Sequence, residues 1–320
     1  MPSPIPLDNT LGSLYIAVVL ATAGFGINCM QSFLYFAEHS KNDGRLIKLF
    51  VAVLWILELL TVALINHGAY FYTISNFGDL EVLAEPTVWS IIVEIGLSTF
   101  VAFMVQSFFA YRVYILGGAD KGKSLILPCV IMVFTCAQFA MGLVYTKVAL
   151  SFKRATGGSS DFPYVMTLFG LELVADFLIA TSSILFLRRH AKRSEVHTTQ
   201  HLIYTLIKYV VNTCLLEVLC LIPIIALWAA ESTTLIFGPF VLVLPRVYSF
   251  SLLCSLNNRD HLRDMSYGKN GLVATLPSSG QTRSGTGAGG SGNNYELTKF
   301  PREDTASVKF AGYDDKATPV

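Results

Sequence analysis

The sequence predicts an all-α integral membrane protein: a seven-transmembrane helix bundle followed by a disordered C-terminal tail. Three observations carry that expectation. The chain is 53% hydrophobic and only 14% charged, where an ordinary soluble domain carries about 25% charge. Fifteen of its 45 charged residues fall in residues 257–320, so the first 256 lack the polar surface that water requires. The apolar residues gather into seven runs, each long enough to cross a hydrocarbon core of about 30 Å, which takes roughly 20 helical residues. A net charge of +1 supplies no electrostatic attraction for nucleic acid.

Within a membrane domain of residues 1–263, the first run covers about 11–36. Ala21-Thr22-Ala23 resembles a signal-peptide cleavage site, but residues 1–10 hold no Lys or Arg and the run continues to Phe36, so an uncleaved helix is expected. The second run, 46–70, follows Lys41 and Arg45. The third, 88–116, begins after Pro86 and stops at Gly117-Gly118. The fourth, 125–150, lies between Lys123 and Lys153. The fifth, 164–187, ends on Arg188-Arg189. The sixth, 202–230, ends before Glu231, and the seventh, 235–256, closes on Asn257-Asn258. Only helices satisfy every backbone polar group of an open-ended segment in lipid, and these runs show no period-two alternation of the barrel kind. Residues 264–320 differ: Ser278–Asn294 is almost entirely Ser, Gly, Thr and Asn, a composition that buries too little apolar surface to fold.

Lys and Arg concentrate in alternate loops. Lys41, Arg45 and Lys48 flank the first, Arg112, Lys121 and Lys123 the third, Arg188, Arg189, Lys192 and Arg193 the fifth, and Arg259 and Arg263 open the tail. The N-terminus, the second loop and the sixth hold none; Lys153 and Arg154 in the fourth run against the bias. The asymmetry predicts an outside N-terminus and a cytosolic C-terminus, with the plasma membrane expected over internal membranes. All six cysteines lie inside the apolar runs, so no extracellular disulfide and no zinc site is expected. Gly12, Gly24 and Gly26 read as close-packing points of the first helix. Pro128, Pro223, Pro239 and Pro245 read as interruptions of helices four, six and seven. Trp89 and Trp228 read as interfacial anchors, with Trp55 deeper.

Charge in hydrocarbon costs at least about 2.5–3.5 kcal/mol per residue, so each instance requires a reason. Glu58 lies in the second run, Glu94 in the third, Glu172 and Asp176 one turn apart in the fifth, Glu217 in the sixth and Arg246 in the seventh. Arg246 retains its proton in any setting, so it is expected to pair with carboxylates inside the bundle. Asp176 and Glu217 are the expected partners, because consecutive helices usually neighbour each other. The remaining acids must be protonated, hydrogen-bonded or near water. A polar packing clamp and a ligand, ion or proton-linked pocket both satisfy this pattern.

No phosphate loop, His-Glu-x-x-His motif or nucleophile elbow occurs. With no catalytic, metal or cofactor constellation, an enzyme is not expected. Ala110-Tyr111-Arg112 only faintly echoes the Asp-Arg-Tyr signature of rhodopsin-like receptors and lacks its acid.

Several stretches together carry a family resemblance. They are Leu11-Gly12, Phe25-Gly26-Ile27, Gln31 and Tyr35-Phe36 in helix one, then Asp43, Lys48 and Leu54-Trp55-x-x-Glu58. Helix three ends Val105-Gln106-Ser107-Phe108-Phe109-Ala110-Tyr111-Arg112, helix five carries Ala175-Asp176-x-x-Ile179-Ala180, and helix six holds Asn212-Thr213. Helix seven runs from Tyr248 to Leu256-Asn257-Asn258-Arg259-x-x-Leu262-Arg263. In these the chain resembles fungal, mainly basidiomycete, seven-transmembrane proteins whose last three helices are catalogued as domain of unknown function 6534. It departs at Glu58, where that family usually has Asp, at Cys214, where Gly is frequent, and at Arg246, where Lys is common. The resemblance implies membrane topology and carries no activity, ligand or partner. It singles out Glu58, Gln106, Asp176 and Arg246 among the polar positions.

The functional expectation is a receptor or sensor that binds a small or lipid-like ligand between helices. The alternatives are a small-solute or proton-linked transporter, suggested by the prolines at 223 and 239, and a structural membrane protein. The expected partner is the lipid bilayer; the sequence names none for the tail.

Overall fold

A computed structural model describes residues 7–79, 81–85, 87–117, 125–151, 162–193, 197–230 and 235–268. Seven α-helices build it: α1 Leu11–Leu34, α2 Arg45–Tyr70, α3 Trp89–Leu116, α4 Ile126–Ser151, α5 Phe162–Arg193, α6 His197–Ala230 and α7 Gly238–Gly268. Among the described residues there is no strand. Six of these helices are long and apolar enough to cross a membrane, and α6 contributes a shorter apolar stretch, Cys214–Ala230. Outward positions such as Phe33, Val133, Phe177 and Leu219 are exposed, while Glu58, Gln106, Asp176 and Arg246 are buried. An apolar exterior around a polar interior is the reverse of a water-soluble surface. Length and composition thus mark a multi-pass integral membrane protein.

The helices form a ring in chain order. Each packs on its successor and α1 closes on α7, while α3 also touches α5 and α7 and so occupies the middle. The central apolar cluster includes Val101 and Val105 of α3, Leu221 and Ile224 of α6, and Tyr248 and Leu252 of α7. Glycine sets the closest approach of α3 and α4: a Cβ on Gly142 would overlap the side chain of Thr99. In α1 only Gly24 has such a role, since a Cβ there would stand 3.2 Å from Cβ of Arg246. Gly26 has nothing within 4 Å, and the nearest atom to Gly12 is a carbonyl of its own segment, Leu7. The expectation of three close-packing glycines is therefore corrected to one, because Gly12 and Gly26 face away from the neighbouring helices.

Proline placement also differs from expectation. Pro223 and Pro245 do lie inside α6 and α7. Pro128 and Pro239 instead fall in the first turns of α4 and α7, where a missing N–H removes no helical bond. Trp89 begins α3, exposed, with its ring 5.3 Å from His67. Trp228 is not an outward anchor: it is buried, with its ring 4.6 Å from that of Phe237.

Helices α5 and α7 run beyond their apolar sections, to Arg193 and Gly268. Backbone hydrogen bonding continues through polar residues once a helix leaves lipid, so an apolar run marks the membrane section rather than the helix end. The chain past residue 268, with the expected disordered tail, lies outside the described residues, as do the loop cations Lys121, Lys123, Lys153 and Arg154.

Candidate functional site

Arg246 of α7 is 2% exposed and sits where α1, α2, α3 and α7 meet. Its Nε lies 3.6 Å from Oε2 of Glu58 on α2, and its Nη1 lies 3.4 Å from Oε1 of Glu94 on α3. The guanidinium donates at 3.0 Å to Thr61 Oγ1 and at 3.0 Å to the carbonyl of Leu242. That carbonyl adjoins Val241, whose helical donor is lost because Pro245 has no N–H. Asn28 of α1 donates to the Arg246 backbone carbonyl at 3.0 Å, and Gly24 leaves room for the arginine stem. Each acid is also held by a hydroxyl: Ser249 donates to Glu58 at 2.7 Å and Ser98 to Glu94 at 2.6 Å. Glu58 Oε2 and Arg246 Nε have no hydrogen-bond partner, so this contact is a charge pair without a directed bond. Removing one member of a buried pair strands the other and costs about 3–5 kcal/mol.

A second cluster occupies the opposite face of α7. Asp176 of α5 accepts from Gln106 Nε2 of α3 at 2.8 Å and from the hydroxyl of Tyr248. Glu172, one turn earlier on the same face of α5, and Glu217 of α6 are buried as well. Residues 246 and 248 stand about 200° apart around a helix, so α7 divides the polar interior between two sides.

All seven candidate residues are thus internal, but they fall into two groups. Glu58, Glu94 and Arg246 form one; Gln106, Glu172, Asp176 and Glu217 belong to the other. The expected pairing of Arg246 with Asp176 and Glu217 is corrected: its partners are Glu58 and Glu94. Chain order favours α5 and α6 as neighbours, whereas the rotation of α7 points the arginine toward α2 and α3. Sequence reasoning also missed Asn28, Thr61, Ser98, Gln138, Tyr248 and Ser249. A usable signal existed for three hydroxyls, since Thr61, Ser98 and Ser249 each lie three or four residues after a deep charge, on its helix face.

Between the two groups, α3, α4, α5 and α7 line a partly open cavity of about 40 Å³, with Glu94, Ser98, Thr99, Gln138, Glu172 and Tyr248 as its polar wall. At the end of the bundle that carries Lys41, Arg45 and Arg112, polar contacts tie α7 to α1 and α3. Asn257 donates to the Gln31 side chain at 2.7 Å and to its carbonyl at 2.9 Å, and Arg112 donates to Ser255. Tyr35 donates to Asp43 at 2.9 Å nearby. At the other end the Leu235 amide donates to the Asn9 carbonyl at 3.0 Å.

Residues 172–261 match a family described as a family of unknown function (DUF6534). The match begins at Glu172 and includes Asp176, Glu217, Arg246 and Tyr248; Glu58, Glu94, Gln106 and Gln138 precede it. No curated protein and no solved structure matches the chain.

Proposed function

We propose that the protein is a seven-span membrane receptor or sensor in which α7 is the responsive element and the Arg246 cluster its lock. The observation that carries this reading is one buried guanidinium of α7 shared by two carboxylates on α2 and α3, at 3.6 and 3.4 Å. A buried ion pair contributes little net stability, but it holds a register that a competing charge or ligand can bias. The same helix continues to Asn257 and Ser255, whose contacts with Gln31 and Arg112 lie close to the start of the C-terminal segment. A shift of α7 at Arg246 therefore bears on the contacts that the same helix makes at Ser255 and Asn257. In this reading the N-terminus is outside and the C-terminus cytosolic. The Lys/Arg distribution supports that orientation, and Asn9 and Leu235 meet at the end away from Lys41, Arg45 and Arg112.

The expected lipid-like ligand does not suit the cavity between the clusters. Drug-sized ligands occupy roughly 300–1,000 Å³, against about 40 Å³ here.

Hydrogen–deuterium exchange of the purified protein in nanodiscs tests the reading. Weakening the lock with Glu94→Gln should raise exchange along residues 249–258 relative to wild type. Exchange changes confined to one turn around Arg246 would reduce the cluster to a packing clamp.

A further inference from the structure

We infer that the cavity between α3, α4, α5 and α7 is a binding site for one small, partly hydrated monovalent cation. Its size sets the first limit. One water needs about 10–15 Å³ of such space, so about 40 Å³ admits an ion with one or two waters and excludes organic cations.

The donors set the second. Glu94, Ser98 and Thr99 come from α3, Gln138 from α4, Glu172 from α5 and Tyr248 from α7, and every one of these polar atoms but the Gln138 amide nitrogen is oxygen. Thr99 donates its hydroxyl proton to the Ile95 carbonyl at 2.9 Å, and Ser98 donates to Glu94, so their lone pairs remain to accept a cation. Gln138 is the independent pointer. It is 1% exposed, it lines the cavity, and its Oε1 has no hydrogen-bond partner. A buried amide oxygen left unsatisfied costs about 1–3 kcal/mol, and a cation beside it removes that cost. No group of three or more His, Cys, Asp or Glu side chains with metal-binding geometry occurs among the described residues. Oxygen donors suit a hard ion rather than zinc or copper, and because Glu94 is already paired with Arg246, one carboxyl of the wall remains to balance a single positive charge.

Charge supplies the third argument. The cavity wall carries the carboxyls of Glu94 on α3 and Glu172 on α5 and the hydroxyl of Tyr248 on α7, with Gln138 from α4; Glu58 on α2, Asp176 on α5, Glu217 on α6 and Arg246 on α7 are the other charged or titratable groups buried in these helices and their neighbours. The only cation in that set, Arg246, is engaged with Glu58 and Glu94. Tyr248 directs its one proton to Asp176. A positive charge between Glu94 and Glu172 would balance a carboxylate there that Arg246 does not reach. Sodium and hydronium share that chemistry.

Thermal unfolding of the full-length protein in detergent, at fixed ionic strength, separates them. It is run in sodium chloride and in N-methyl-glucamine chloride, whose cation is too large for the cavity, at neutral and at mildly acidic pH. A saturable rise in Tm with sodium, with affinity reduced roughly tenfold or more in Gln138→Leu and Glu172→Gln, establishes a sodium site; polar partners of bound metals typically carry effects of that size. No sodium effect, but a pH step in Tm that is lost in Gln138→Leu as well as in Glu172→Gln, assigns the charge to a proton carried at the site; a step lost in Glu172→Gln alone is titration of that carboxyl and overturns the proposal. No dependence on either ion in wild type, or a dependence that both variants retain, overturns the proposal. Thr99→Val is the milder variant should the others fail to fold, and the wild-type comparison needs no variant. The measurement is indifferent to whether α7 transmits a signal, so the cation site and the receptor reading fail separately.

Discussion

Arg246 carries the most consequence of any single residue. With Glu58 and Glu94 as partners, Arg246→Met and Glu58→Gln should each lower stability by about 3–5 kcal/mol, because each strands a buried polar group. The double variant should lose much less than the sum, since the stranded partner is gone as well. Arg246→Met combined with Asp176→Asn should show the smaller coupling, because Asp176 bonds Gln106 and Tyr248 instead. Thermal unfolding in detergent of these four variants and of Asp176→Asn alone checks both statements, and a larger coupling with Asp176 would contradict the geometry. On the other face of α7, Tyr248→Phe removes a donor from a buried carboxyl while leaving the ring in the central cluster. A loss of about 1.5–3 kcal/mol is expected, the range for hydrogen bonds to charged groups. A loss below about 0.5 kcal/mol, less than even a neutral hydrogen bond contributes, would show that Asp176 finds a replacement.

Helix-scale behaviour rests on where small residues sit. Gly142 of α4 has Thr99 of α3 directly over its Cα, so no side chain fits without separating the helices. Gly142→Val should therefore cost about 1–3 kcal/mol, the usual range for overpacking. Gly26→Val, on the open face of α1, should be close to neutral by the same measurement. Equal effects at the two positions would mean that the α3–α4 spacing is not set by glycine. Both positions lie in apolar helices and look alike by composition; only the neighbour across the interface distinguishes them. Pro223 and Pro239 show the same dependence on context. One lies deep inside α6 and the other in the first turn of α7, so only the first removes a bond from a helical ladder.

For the whole molecule, the expected orientation is an outside N-terminus and a cytosolic C-terminus. Protease protection of a doubly tagged protein in sealed cytosol-side-out vesicles should spare the N-terminal tag and digest the C-terminal one. The reverse pattern would invert the topology. The apolar exterior makes a second whole-molecule expectation. Cys136 is exposed on α4, and Cys220 is buried within the bundle. A membrane-partitioning maleimide should label Cys136 in native bilayers and leave Cys220 unmodified until the protein is unfolded. Ready labelling of Cys220 would mean that the bundle opens at α6.

The division between what sequence determines and what packing decides follows from the range of each force. Bilayer thickness acts on a contiguous run, so the apolar segments were legible residue by residue, as was the need for deep charges to turn inward. The candidate site was legible to that extent: Glu58, Glu94, Gln106, Glu172, Asp176, Glu217 and Arg246 all lie inside. Which of them meet was not legible, because that depends on how each helix is rotated about its own axis. Arg246 and Tyr248 are two positions apart in the chain and face opposite sides of α7, one toward α2 and α3 and the other toward α5. Gln138 shows the same limit. Nothing about a glutamine in an apolar run separates a lipid-facing position from a cavity wall. Its role exists only once α3, α4, α5 and α7 line a space that four distant stretches of sequence define together.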